Sequence, residues 1–178
     1  MKGPNVMQGY NNDPEATARV LSPEGWFRTG DFGKLTNGIL TVTGRKKNII
    51  VAKNGKNVYP EELEHQLNRS PFVAESLVFG REAVTKGEEI WSIVFPDYDA
   101  LIALAEEKGE KLTENFGLSV IRSEIRSVNG HNPSFKRISN YIIRDTEFPK
   151  TTTKKIRRPR VLREAGIAPE KVHSVATG

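Results

Sequence analysis

Apolar positions change their spacing several times along the chain, and each change marks an element. Ile39-Leu40-Thr41-Val42-Thr43 and Asn48-Ile49-Ile50-Val51-Ala52 are β-branched runs with Gly or Asn at their margins. They predict two strands joined by Gly44-Arg45-Lys46-Lys47. Asn54-Gly55 tolerates left-handed backbone and predicts a turn, after which Lys56-Asn57-Val58-Tyr59 continues as a strand. Pro60 suits a first helical turn, where its missing N–H is not needed, and Glu61 and Glu62 suit the positive end of the helix dipole. A helix is therefore expected from Pro60 to Asn68. Ser76-Leu77-Val78-Phe79 and Ile90-Trp91-Ser92-Ile93-Val94-Phe95 predict two more strands that pair, with Pro96 closing the second. From Asp97 to Lys108 an acidic start, a Leu101/Ile102/Leu104/Ala105 core and the Gly109 stop predict a helix. Leu118, Ile121, Ile125 and Val128 recur every three or four residues and predict a second helix ending at Asn129-Gly130. Both helices are expected to pack on the sheet. A last strand is expected from Ser139 to Ile143, followed by a basic segment and a polar tail.

The opening of the chain differs in character. Up to Asn12-Asp13-Pro14 it is rich in Gly, Asn and Pro and reads as a connecting segment. A short helix is expected over Glu15 to Val20, then a turn at Pro23-Glu24-Gly25. Residues 1 to about 43 are not expected to form a domain of their own. Beyond residue 47 strands and helices interleave, which points to a small α+β or α/β domain without internal repeats.

Composition narrows the classes. Hydrophobic residues at 37 % and charged residues at 28 % are those of a folding globular protein rather than a disordered one. No apolar run approaches the ~20 residues needed to cross a bilayer, and the N-terminus has no apolar signal region, so a cytoplasmic protein is expected. With no cysteine, disulfides, thiolate metal sites and thiol nucleophiles are excluded. His65, His131 and His173 are too scattered for a local metal cluster, and no metal site is expected from this chain.

The net charge of +5 and a pI near 9.5 suit a polyanionic partner. The excess is local: Lys150, Lys154, Lys155, Arg157, Arg158, Arg160 and Arg163 crowd one segment, while Glu106, Glu107, Glu110 and Glu114 gather elsewhere.

Three constellations can carry chemistry. In Trp26-Phe27-Arg28-Thr29-Gly30-Asp31 the carboxylate either caps a turn or accepts two hydrogen bonds from the vicinal hydroxyls of a ribose. In Gly44-Arg45-Lys46-Lys47 the cations either solvate a turn or, through the fork of Arg45, hold phosphate or ribose. Pro149-Lys150-Thr151-Thr152-Thr153-Lys154-Lys155-Ile156-Arg157-Arg158 is either a patch for nucleic acid or another anionic surface, or a catalytic loop.

In this order, the segments resemble the last three motifs of the adenylate-forming superfamily, which includes acyl-CoA synthetases, adenylation domains of peptide synthetases and luciferases. Gly3-Pro4-Asn5-Val6-Met7-Gln8-Gly9-Tyr10 is similar to the stretch before the family's Thr-Gly-Asp motif, here Thr29-Gly30-Asp31. Gly44 through Ile50, with Asn54-Gly55-Lys56-Asn57-Val58-Tyr59-Pro60-Glu61-Glu62-Leu63-Glu64, resembles the hinge motif and the loop and helix after it; the wording is most like bacterial long-chain fatty-acid–CoA ligases. The resemblance implies that Asp31 binds the ribose of ATP, that Arg45 assists at the nucleotide, that Lys47 is the hinge, and that Lys155 is the catalytic lysine. The loop Lys53-Asn54-Gly55-Lys56 is implied to face the channel for CoA. Where the family has glycine before its catalytic lysine, this chain has Lys154, and Ile156-Arg157-Arg158 selects Lys155.

Neither a Ser/Thr/Gly-rich phosphate loop ending in lysine nor a Tyr-Gly-x-Thr-Glu segment occurs. The expected organisation is thus residues 1–46 as the incomplete end of a large N-terminal domain, 47–168 as a mobile C-terminal lid and 169–178 as a tail. The fold expected is α+β, with mixed or antiparallel strands and packed helices. Mg2+ and most ATP contacts are expected from the absent N-terminal domain, on which the lid would pack, and this piece alone is expected to be inactive. The full ligase would sit in the cytoplasm or at a membrane periphery. Two other readings stay open: a free-standing basic module for nucleotide or nucleic acid, and a lid acting in trans.

Overall fold

The computed structural model describes residues 1–82 and 87–167; the expected tail at 169–178 and His173 lie outside them. The chain divides into two compact units, Met1–Lys46 and the portion from Lys47 onward.

In the first unit, α1 (Pro14–Val20) starts where Asp13 accepts the Ala16 N–H at 2.8 Å and Pro14 fills the first turn. Strands β1 (Asp31–Thr36) and β2 (Ile39–Arg45) form an antiparallel hairpin. Asn37 and Gly38 turn it with φ of 50° and 80°, the paired positive values that suit the twist of a two-residue hairpin. Here the expected connection is corrected: Gly44 and Arg45 are strand residues, opposite Phe32 and Asp31, because β1 offers them a partner. Only Lys46–Asn48 remains as a turn, of 3-10 form, and the strand after it shrinks to β3 (Ile50–Val51). The apolar side chains of the hairpin, Leu35, Ile39, Leu40 and Val42, are all 61–70 % exposed, so this unit encloses no core of its own.

In the second unit β3 pairs antiparallel with β4 (Asn57–Val58), and α2 (Pro60–Leu67) follows. Strands β5 (Val73–Glu82) and β6 (Glu88–Pro96) pair antiparallel, as expected. Then come α3 (Tyr98–Glu107), α4 (Glu114–Gly130), β7 (Asn140–Ile143) and α5 (Arg158–Glu164). Sheet order is β5-β6-β7, with β7 parallel to β6, which makes the mixed α+β architecture expected from the sequence.

Successive strand residues point to opposite faces, so neighbours in sequence serve different layers. Val78 and Val94 join Leu63 and Leu67 of α2 and Ile121 and Ile125 of α4 on one face. Leu77 and Ile93 join Phe148 and Val161 of α5 on the other. Each such buried aliphatic side chain contributes about 1.5–3 kcal/mol relative to exposure. Leu101 and Ala105 of α3 cluster instead with Phe116 and Val120 of α4. The expectation that both helices lie on the sheet therefore holds for α4, whereas α3 covers α4. The helix α5 falls in the segment read only as basic. Its charges hid Val161, which is fully buried, and Leu162, which packs beside it.

Candidate functional site

Asp31 opens β1 directly after Gly30, whose φ of 72° bends the chain there. Its own N–H donates to Thr29 Oγ1 at 3.1 Å. Across the hairpin, Arg45 places Nε 2.9 Å from Asp31 Oδ1 and donates from Nη1 to the Thr29 carbonyl at 3.2 Å. The two residues are thus register partners, and a carboxylate with acceptor capacity left over stands beside a guanidinium on an exposed surface. Such a pair can accept from hydroxyls and donate to anionic oxygen at one place.

Lys47, exposed, sits in the 3-10 turn Lys46–Asn48 and is the first residue of the second unit. Beside it Asn48 donates to Glu61 Oε1 of α2 at 2.7 Å.

The Lys53–Lys56 loop turns between β3 and β4. Gly55, with φ of 78°, donates its N–H to the Ala52 carbonyl at 2.8 Å, and Lys56 N–H donates to Asn54 Oδ1 at 3.1 Å. Lys53 pairs with Glu89 at 2.8 Å, and the Lys56 ammonium lies 4.7 Å from the centre of the Phe135 ring. Lys53 and Asn54 border a groove of about 300 Å³ with Phe135 and Arg137 on its other side. Sequence reading missed those two, because they come from the 3-10 turn Ser134–Lys136 after α4 and the residue that follows it, and join the loop only in the fold.

The basic segment folds as a narrow hairpin. Lys150 and Ile156 bridge, Thr151 N–H donates to the Lys155 carbonyl at 2.8 Å, Lys155 N–H donates to Thr151 Oγ1 at 3.1 Å, and Arg157 N–H donates to the Pro149 carbonyl at 2.8 Å. Lys154 takes φ of 59°, the left-handed turn position where a side chain is strained. Thr152, Thr153, Lys154 and Lys155 are exposed. Lys150 is paired with Glu75, Arg158 with Glu64, and Arg160 with Glu164. Lys155 has no carboxylate within ion-pair distance among the described residues. The basic run is therefore not one continuous patch: three of its cations are neutralised by the fold, while Lys154, Lys155, Arg157 and Arg163 are exposed and without an ion pair among the described residues.

Glu64 is the least obvious member. Burial raises its carboxyl above the ordinary 4.5, against the opposing charge of Arg158 and the hydrogen bond from Val78. No local pattern marks it, since Arg158 lies 94 residues away.

A family described as the AMP-binding enzyme C-terminal domain matches residues 47–165. Indoleacetate–CoA ligase of Aromatoleum aromaticum is 47 % identical over 97 residues, covering 54 % of this chain and 19 % of that ligase. Human long-chain-fatty-acid–CoA ligase 1 is 41 % identical over 110 residues, covering 61 % of this chain and 15 % of that ligase. The chain thus spans less than a fifth of the length of these relatives. Among solved structures, ATP-bound MatB from Rhodopseudomonas palustris superposes with a TM-score of 0.66 at 32 % identity, covering 92 % of this chain and 29 % of that one.

Proposed function

Because the chain belongs to the AMP-binding enzyme C-terminal domain family, we propose that it supplies the mobile lid of an ATP-dependent acid–thiol ligase. That ligase activates a long-chain fatty acid as the acyl-adenylate and passes the acyl group to CoA. One observation carries the reading: Lys155 stands exposed and without a carboxylate partner on a hairpin whose backbone is closed by four internal contacts.

In the first half-reaction a carboxylate oxygen of the acid bonds to the α-phosphorus of ATP while the bond to pyrophosphate breaks. The ammonium of Lys155 neutralises the negative charge that builds on the phosphate oxygens. A preorganised charge of this kind is commonly worth roughly 3 kcal/mol, because it meets charge present only in the transition state. Asp31 accepts from the ribose hydroxyls and Arg45 donates to the nucleotide. Mg2+ accompanies ATP and is assigned to the rest of the ligase; among the described residues no three His, Asp or Glu side chains converge on one point.

In the second half-reaction the CoA sulfur attacks the acyl carbonyl and AMP leaves. Lys47 is assigned as the hinge about which the lid turns on its own N-terminal domain, and Lys53, Asn54, Gly55 and Lys56 as the loop that then faces the CoA channel. The groove beside that loop supports this assignment by leaving room next to its backbone. The ion pairs of Lys150, Arg158 and Arg160 count against a nucleic-acid patch. The ligase is assigned to the cytoplasm, at or near the membrane that holds its acid; no helix among the described residues is long and apolar enough to cross one.

The test is Lys155→Ala in the full-length ligase, using whichever of palmitate, octanoate and indoleacetate the parent turns over fastest. ATP–pyrophosphate exchange should fall at least ~100-fold, while thioester formation from supplied acyl-adenylate persists. Near-normal exchange overturns the assignment of Lys155.

A further inference from the structure

The tip that bears Lys155 has little to hold it. Thr152, Thr153, Lys154 and Lys155 are exposed and add nothing to a core. Order at the tip must come from its two legs, and both legs are tied to the same strand. On the first leg Phe148 is buried, its N–H donates to Glu75 Oε2 of β5 at 2.8 Å, and the Lys150 ammonium pairs with the other oxygen of that carboxylate. On the second leg Ile156 packs into the α5 layer, and Arg158, three residues past Lys155, reaches inward.

The inward contact is unusual in its chemistry. Arg158 Nη1 donates to Glu64 Oε1 at 2.5 Å and Nη2 donates to the carbonyl of Val78. The Val78 N–H donates to the same Glu64 oxygen at 2.7 Å. Val78 lies on β5, the outer strand of the sheet, so its free backbone groups are both satisfied by this one ion pair. A planar guanidinium held at two points by a carboxylate and a carbonyl cannot swivel, and it fixes the backbone from which it springs. Glu64 in turn is fixed by α2, whose Leu63 is fully buried.

We propose that Glu64 and Arg158 are positioning residues for the reaction: they clamp the second leg of the hairpin to β5 and so set where the Lys155 ammonium stands. This rests on the catalytic assignment of Lys155 made above. The bland competitor is that the pair only seals the edge of β5, in which case its loss lowers stability without selecting one half-reaction.

Glu64→Gln separates the two, since the amide oxygen still accepts the Val78 N–H but no longer holds Arg158 by charge. In the full-length ligase, pyrophosphate exchange should fall about 10- to 100-fold in kcat, the scale of a misplacement near one ångström, with KM for ATP nearly unchanged. Thioester formation from supplied acyl-adenylate should stay within about twofold, whereas general damage to the fold would slow both steps together. The double variant E64Q/K155A should be no slower than Lys155→Ala alone, because a group that acts through Lys155 has nothing to do once that lysine is gone. Additive losses, or an unaltered exchange rate in Glu64→Gln, overturn the proposal. Arg158→Lys keeps a cation but not the fork, and should reproduce the selective loss if Glu64→Gln folds poorly.

Amide hydrogen exchange on the present chain provides a readout independent of catalysis. The Thr151 and Arg157 amides, which close the hairpin, should exchange faster in Glu64→Gln, and unchanged protection there overturns the clamp. If Lys155→Ala leaves pyrophosphate exchange intact while the amides do respond, the clamp stands as a mechanical fact and the catalytic assignment is what fails.

Discussion

Arg45 faces Asp31 directly across the β1–β2 hairpin, with its Nε 2.9 Å from the Asp31 carboxylate. They stand fourteen positions apart in the sequence, yet the strand register makes them one polar unit.

That unit should matter more for nucleotide than for folding. With the two side chains 51 % and 30 % exposed, water screens their attraction, and such pairs are worth at most ~1 kcal/mol. Arg45→Met should therefore leave the melting temperature of this chain almost unchanged. Asp31→Ala in the full-length ligase should raise KM for ATP about 10- to 100-fold, the cost of losing charged hydrogen bonds. An unchanged KM for ATP would remove Asp31 from the nucleotide site.

Lys154 adopts a left-handed φ of 59° in the hairpin tip, a conformation glycine takes freely and other residues take at a cost of about 1–2 kcal/mol. Lys154→Gly should stabilise the closed hairpin modestly and keep pyrophosphate exchange. Lys154→Val should open it, because a β-branched side chain fits that region worst. Slower amide exchange at Thr151 in the first variant and faster exchange in the second would verify the direction. Loss of activity in Lys154→Gly would move the catalytic role from Lys155 to Lys154.

Lys47 occupies the 3-10 turn Lys46–Asn48, and the family match begins at that residue. Lys47→Pro fixes φ near −65° and should restrict any turning of the lid about this point. Thioester formation should then fall at least ~10-fold more than pyrophosphate exchange if, as proposed, the lid turns about Lys47 before CoA attacks. Equal losses in both assays would count against the hinge.

Two carboxylates should titrate in opposite directions from the ordinary 4.5. Hydrogen bonds from Arg160 and Arg144 lower the Glu164 carboxyl, and burial raises that of Glu64. For Glu164 the folded value is depressed, so its stabilisation is present above the unfolded value and disappears as pH falls through the folded one. For Glu64 the folded value is elevated, so its contribution is fullest below the unfolded value and is lost as pH rises through the folded one. Carboxyl-carbon NMR titration checks the two directions. Urea unfolding of Glu64→Gln across the same range should lack the second trend.

Helices α2 and α4 and strands β5 and β6 were legible because each obeys a local rule. Pro60-Glu61-Glu62 writes the start of α2, Gly130 falls at the end of α4, and the β5 and β6 runs are long and apolar. Strand β1 was not, since Asp31-Phe32-Gly33-Lys34 shows strand character only once β2 lies beside it. Helix α5 was not, because its charged residues outnumber Val161 and Leu162, the two that hold it down.

What the order of residues determined alone was most of the elements, though not β1 or α5, together with the motif chain that runs from Thr29-Gly30-Asp31 to Lys155, and hence the family. Those are properties of neighbours, and neighbours are printed in a sequence. Only the tertiary structure decided that Lys150 and Arg158 are neutralised while Lys155 is not, because Glu75 and Glu64 lie far from them in sequence and meet them only in space. Coulomb attraction and desolvation depend on distance and burial, and the separation of 94 positions from Glu64 to Arg158 conceals both until the sheet and its helices have closed around them.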